Sequence, residues 1–144
     1  MTDSQQAEIL LIDDHVGDIQ LTLLALKNSL YDEKTYVVRD GSEALQYIFN
    51  KDIYKNREGK ELPKLILLDL NLPKVSGIDV LRKIKSDSRT KEIPVVILTV
   101  SEDSEDAREC FTLGANSYVI KSTDFAVFTI SLNERVKYWL EQKQ

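Results

Sequence analysis

The sequence predicts an α/β fold: a doubly wound, five-stranded parallel sheet with helices on both of its faces. Three observations carry that expectation. Short apolar runs recur five times along the chain, segments with helical spacing lie between them, and three of the runs are apolar on consecutive positions instead of alternating. A strand that is apolar on both sides needs cover on both sides, as a strand inside a parallel sheet has. Regular strand–helix alternation then favours right-handed crossovers, which lay helices on the two faces of the sheet and make a three-layer sandwich.

The runs that read as strands are "EILLID" (Glu8 to Asp13), "TYVVR" (Thr35 to Arg39), "LILLD" (Leu65 to Asp69), "PVVILT" (Pro94 to Thr99) and "SYVIK" (Ser117 to Lys121). After the first comes an apolar helical face of Ile19, Leu23, Leu26 and Leu30, and after the second one of Ala44, Leu45, Ile48 and Phe49. Ile78, Leu81 and Ile84 follow the third strand; Ala107 and Phe111 follow the fourth, with Gly114 where a helix C-cap glycine belongs. The last helix, from about Asp124 to Leu140, carries Phe125, Phe128, Leu132, Val136 and Trp139 at helical intervals. Asn50 to Leu62 is charged and longer than a usual connection, so it reads as an exposed loop with a helical turn around Ile53 and Tyr54. Five strands and five helices in this order suit the flavodoxin-like strand order 2-1-3-4-5.

The 144 residues, 42% of them apolar, fit one domain over 1–144, with a core of about 7–141 and no output domain. A net charge of -5 and a sequence pI near 5.0 disfavour nucleic acid as a direct partner, because phosphate backbones are held by clustered Lys and Arg. The polar start "MTDSQQAE" is neither a secretory signal nor an Arg-rich transit peptide, and no apolar run approaches the ~20 residues that cross a bilayer. One cysteine, Cys110, allows no internal disulfide and no zinc cluster, and reads as a packing residue. The expectation is a soluble cytoplasmic protein with no membrane partner.

Open α/β sheets bind ligands at the carboxyl ends of their strands, so the residue closing each strand matters most. The first strand closes with Asp13 and Asp14, the third with Asp69, the fourth with Thr99 and the fifth with Lys121. Each has a plain structural use: an acid can cap the following helix, and Thr or Lys can simply end a strand. Together they bring carboxylates, a hydroxyl and an ammonium to one edge of the sheet. Clustered carboxylates repel, and a divalent cation removes the conflict. Mg²⁺ suits them, since it prefers hard oxygen ligands and is held by one or two carboxylates plus phosphate oxygens. A phosphoryl group beside that metal would take Lys121 as its second cation and bond the Thr99 hydroxyl. His15, the sole histidine, reads as a solvated loop residue near the mouth of the site.

With these residues in place the chain resembles the CheY-like receiver domains of two-component response regulators over nearly its whole length. The resemblance rests on "DD" at Asp13 and Asp14, Asp69 in "LLDLNLPKVSG", Thr99 in "VVILTV", and Tyr118 and Lys121 in "SYVIK". The "DLNLP" box, the long loop after the second helix and "YVIKS" are most similar to stand-alone regulators of bacterial and cyanobacterial phytochrome histidine kinases. The resemblance implies a phosphoacceptor signalling protein, not an enzyme in the ordinary sense, catalysing only its own phosphotransfer and autodephosphorylation. Asp69 would be the phosphoacceptor. Asp14 and Asp69 would bind Mg²⁺ directly, Asp13 through water and Asn71 through its backbone carbonyl. Thr99 and Tyr118 would be the switch pair, and the donor a phosphohistidine on a sensor kinase, of phytochrome type in that subfamily.

Two residues depart from the family pattern. Receivers usually carry a small residue after the switch Thr, where this chain has Val100, and Pro after the Lys, where it has Ser122. A β-branched Val100 should narrow the path to Asp69. Two other readings are open to the sequence. A haloacid-dehalogenase-type phosphatase would need a second acid where Asn71 stands. A pseudo-receiver, a binding module without phosphotransfer, would be favoured only by Val100 and Ser122. The last helix also holds Val127, Ile130, Tyr138 and Leu140, more apolar surface than one packed face requires. A homodimer through the fourth helix, fifth strand and last helix is therefore expected, alongside a downstream protein or phosphotransfer partner.

Overall fold

The computed structural model describes residues 7–57, 62–70, 72, 75–100 and 103–141. Strands β1 (Ile9–Ile12), β2 (Thr35–Val38), β3 (Leu65–Asp69), β4 (Val95–Thr99) and β5 (Ser117–Ile120) form one sheet in the order β2-β1-β3-β4-β5. Every pairing is parallel. Helices α1 (Val16–Lys27), α2 (Gly41–Ile48), α3 (Gly77–Ser86), α4 (Glu105–Leu113) and α5 (Phe125–Glu141) alternate with the strands. The doubly wound α/β architecture expected from the sequence is the one observed.

Strand parity divides the core in two. Ile9, Leu11, Leu65, Leu67, Val96, Leu98 and Val119 face α1 and α5, where they meet Ala25, Leu26, Phe128, Leu132 and Val136. Leu10, Ile12, Ile66, Leu68, Val95 and Ile97 face α2, α3 and α4, where they meet Ala44, Ile48, Val80, Leu81, Ile84 and Cys110. The consecutive apolar runs are the result: β1, β3 and β4 are buried along their whole length. At roughly 1.5–3 kcal/mol for each buried branched side chain, these three strands carry much of the hydrophobic stabilisation.

Short polar side chains start the helices. Asp40, Ser76 and Ser104 accept backbone N–H groups in the first turns of α2, α3 and α4, and Asp124 Oδ1 accepts from Ala126 and Val127 at the start of α5. Gly114 closes α4 at φ 113°, the left-handed cap expected of it. Gly77 is required by contact: a Cβ there would lie 2.7 Å from Leu70 Cα and 2.8 Å from the Asp69 carbonyl oxygen. The start of α3 thus packs directly on the chain leaving β3.

Three helix readings change. α1 ends at Lys27, so Leu30 lies beyond it in a left-handed turn at φ 62° and is exposed; Thr22, Ala25 and Leu26 are the buried positions instead. On α4 the core positions belong to Ala107 and Cys110, and Phe111 turns outward, edge-on to Tyr118 at 5.8 Å. On α5, Phe125 is 38% exposed at the helix start and outside the core, while Leu140, expected on the outer face, packs partly on the core.

The connection after α2 is also more ordered than its charge suggested. Asp52–Arg57 forms a 3-10 segment and Tyr54 is buried, stacked edge-on against Tyr36 and Tyr47. Its hydroxyl donates to Glu43 Oε2 at 2.6 Å and lies 2.8 Å from the Tyr36 hydroxyl. The Lys121–Ser122 peptide is trans. No helix among the described residues is long and apolar enough to cross a membrane.

Candidate functional site

Because all five strands run the same way, their carboxyl ends share one edge, and the residues closing β1, β3, β4 and β5 meet there. Asp13, Asp14 and Asp69 each bring a carboxylate oxygen within 4.8 Å of the others. Asp13 is completely buried and Asp69 nearly so, whereas Asp14 is half-buried. The Asp14 carbonyl accepts from Arg39 Nη2 at 3.2 Å, which ties the loop after β1 to the end of β2. Lys121, one residue past β5, places Nζ 3.2 Å from Asp69 Oδ2 and 3.9 Å from Asp13 Oδ2. Thr99, the last residue of β4, is buried beside them and lines the same cleft.

The electrostatics are unbalanced in a telling way. Asp13 Oδ1 accepts the His15 backbone N–H at 3.0 Å, but Oδ2 is buried with no hydrogen-bond partner. Burial first, and then the neighbouring Asp69 charge, push the Asp13 carboxyl up to about 7; the His15 N–H and Lys121 only partly offset this. Burial works against the charge on Lys121, yet Asp69, Asp13 and Asp18 together outweigh it and hold the ammonium above its ordinary range. A buried, orphaned carboxylate oxygen inside a three-acid cluster is the environment a hard divalent cation relieves, so the residues fit a metal of the Mg²⁺ kind. Among the described residues no His or Cys joins that cluster.

Comparison with known proteins decides the family: residues 9–133 match the response regulator receiver domain. The chain belongs to the response regulator receiver family. Among curated relatives, this receiver is 37% identical over 133 residues to response regulator Rcp1 of Synechocystis sp., covering 92% of this chain and 88% of that one. It is 36% identical over 132 residues to a probable methanogenesis regulatory protein, FilR2, of Methanothrix harundinacea, covering 92% and 83%. Among solved structures it resembles the phosphorylated cyanobacterial phytochrome response regulator RcpA, at TM-score 0.82 and 38% identity over 96% of this chain and 97% of that one. It also resembles the Mn²⁺-bound form of Rcp1, at TM-score 0.81 and 36% identity over 94% and 96%. As a receiver domain it is a signalling protein, and such domains are partnered by histidine kinases.

The receiver's cleft has a volume of about 740 Å³ and is lined by Asp14, Asp69, Thr99, Val100 and Lys121, among others. Val100 is 79% exposed and forms part of the cleft lining. Tyr118 lies two residues down the sheet from the level of Thr99, opposite Ile97, half-buried against the α2–α3–α4 core and Phe111. Asn71, read as a metal ligand through its carbonyl, lies outside the described residues.

His15 stands exposed at the mouth of the cleft, as expected, and is also the N-cap of α1, its Nδ1 accepting the Asp18 N–H at 3.1 Å. Other cleft residues escaped the sequence reading. Asp18, Ser104 and Asp106 line it too. Asp18 Oδ2 accepts from Lys121 Nζ at 3.0 Å. No short-range motif marks these residues, because they enter from the first turns of α1 and α4 and not from strand ends.

Proposed function

We propose that this receiver accepts a phosphoryl group on Asp69 from the phosphohistidine of a sensor kinase and signals through a phosphorylation-dependent protein-binding surface. The observation that carries the reading is the placement of Lys121 Nζ at 3.2 Å from Asp69 Oδ2, beside an acid cluster with an unsatisfied buried oxygen. Phosphoryl transfer through a loose transition state asks the protein mainly for positioning and charge neutralisation. Asp69, at the end of a buried strand, is the nucleophile, and its Oδ atom takes the phosphorus as the histidine nitrogen leaves. Lys121 faces the charge that spreads over the equatorial oxygens. Asp14 and Asp69 would hold Mg²⁺ directly, Asp13 through water and Asn71 through its backbone carbonyl, and the bound ion would supply the remaining neutralisation. Val100 limits access by small donors and by the water that hydrolyses the acyl phosphate.

Readout follows from the same edge. The Thr99 hydroxyl bonds the new phosphoryl group, and Tyr118, on the same face of the sheet, follows toward the space Thr99 leaves, which alters the α4–β5–α5 surface. That surface is the proposed self-contact. Val127, Ile130 and Tyr138 are more than half exposed on α5, which supports a two-fold homodimer there. The similarity to RcpA and Rcp1 supports a phytochrome-type kinase as donor, and the composition supports a cytoplasmic regulator that contacts protein and not nucleic acid. The family match does not favour the phosphatase reading, and the full set of three acids and a lysine argues against a pseudo-receiver.

Incubation with acetyl phosphate and Mg²⁺, followed by intact mass measurement, tests the site. Wild type should gain one acid-stable, base-labile phosphoryl group and Asp69→Asn none; equal labelling of the two would overturn the assignment. Sedimentation of the same samples should show a larger share of dimer after labelling. A monomer in both would remove the proposed interface.

A further inference from the structure

Lys121 has one more acidic neighbour than phosphoryl transfer requires. Two of its three carboxylate partners, Asp69 and Asp13, belong to the cluster that a divalent cation would occupy. The third does not. Asp18 stands in the first turn of α1, and its Oδ2 makes the shortest of the three contacts, accepting from Lys121 Nζ at 3.0 Å. A lysine ammonium is a point charge on a flexible four-carbon stem, so it stays where opposite charge holds it. Once a cation neutralised Asp13 and Asp69 it would also repel Lys121, and the hold of those two acids on the ammonium would fall away. Asp18, outside the cluster, would keep its charge.

We propose that Asp18 is a positioning residue that keeps Lys121 over the phosphoacceptor when the metal site is filled. The inference rests on the phosphoacceptor reading of Asp69 and goes beyond it in assigning the residue that holds its lysine. Asp18 is suited to the task by its own supports. Its backbone N–H donates to the His15 cap at 3.1 Å, which fixes the first turn of α1 from which Oδ2 reaches the ammonium. Thr22, Ala25 and Leu26 bury the helix that carries it. On the side away from the acidic cleft, the Asp18–Lys121 pair borders a second hollow of about 330 Å³ whose walls include Leu21, Phe125 and Phe128. Apolar surface there limits the water that would compete for the ion pair.

Asp18→Asn removes the charge and keeps the backbone cap, and Asp18→Glu keeps the charge. Labelling by acetyl phosphate at saturating Mg²⁺ should slow roughly tenfold in Asp18→Asn, a size typical of a misplaced charged group, and recover in Asp18→Glu. Mg²⁺ affinity by calorimetry should change less than twofold, since Asp18 is no ligand. In a Lys121→Gln background, Asp18→Asn should have no further effect. A merely structural role for Asp18 would slow both backgrounds alike, and that result would overturn the proposal. So would equal labelling rates for wild type and Asp18→Asn, which would leave the phosphoacceptor reading intact. Failure of wild type to label at all would overturn both.

Discussion

Asp13 is a carboxylate that the fold buries with one oxygen unsatisfied, and its proton affinity records the strain: about 7 folded against an ordinary 3.8. Between those values the folded state binds the proton more tightly than the unfolded chain. Stability without metal should therefore fall as pH rises through that window, with the loss complete above about pH 7, and at ~1.4 kcal/mol per unit it is on the order of 4 kcal/mol. Asp13→Asn carries no such charge. In urea denaturation with EDTA, Asp13→Asn should be more stable than wild type at pH 8, and the gap should close toward pH 5. A gap of the same size at both pH values would show that Asp13 ionisation is not its source. The place of Asp13 in the acid cluster was legible in the sequence because two adjacent acids follow a buried run. The place of Asp18 was not: a single acid near a helix start reads as a favourable dipole charge, and only the tertiary fold brings it within 3.0 Å of Lys121.

At the scale of elements, the strands were legible and the connection after α2 was not. Burial on both faces writes β1, β3 and β4 into the sequence as unbroken apolar runs, whereas the charge of the segment from Asn50 to Leu62 hides an anchor, Tyr54. That tyrosine is held by ring contacts with Tyr36 and Tyr47 and by a phenol–carboxylate hydrogen bond to Glu43, the residue whose N–H Asp40 caps at the start of α2. Burial, and then the Glu43 and Tyr36 hydrogen bonds, push the phenol further above its ordinary value, so it stays a donor. Tyr54→Phe keeps the rings and removes the hydroxyl. It should cost about 1.5–3 kcal/mol, the scale of a lost hydrogen bond to a charged group, and hydrogen exchange should speed up over residues 52–57 while the β3 amides stay protected. Unchanged exchange over that segment would mean that the rings alone hold it. Two helix positions failed in a similar way: periodicity marked Leu30 and Phe111 as core, but small Ala25 and Cys110 are buried while those two are exposed.

On the scale of the whole molecule, the site exists because parallel topology collects residues from distant parts of the chain. Asp13, Asp69, Thr99 and Lys121 close four different strands, and no two of these strands are joined by less than a full crossover. The constellation was readable in advance because the strand-end rule depends only on strand direction, while the fit of acids to a metal depends on how closely the strand ends approach. That approach, within 4.8 Å for the three carboxylates, is what makes a divalent cation central to the account. The most direct test is the dependence of Asp69 labelling on Mg²⁺, measured beside the metal's own binding isotherm. The rate of labelling by acetyl phosphate should rise and saturate with Mg²⁺ at the concentration that half-fills the site in calorimetry, and Asp14→Asn should move both midpoints together. Labelling at full rate in excess EDTA would contradict it.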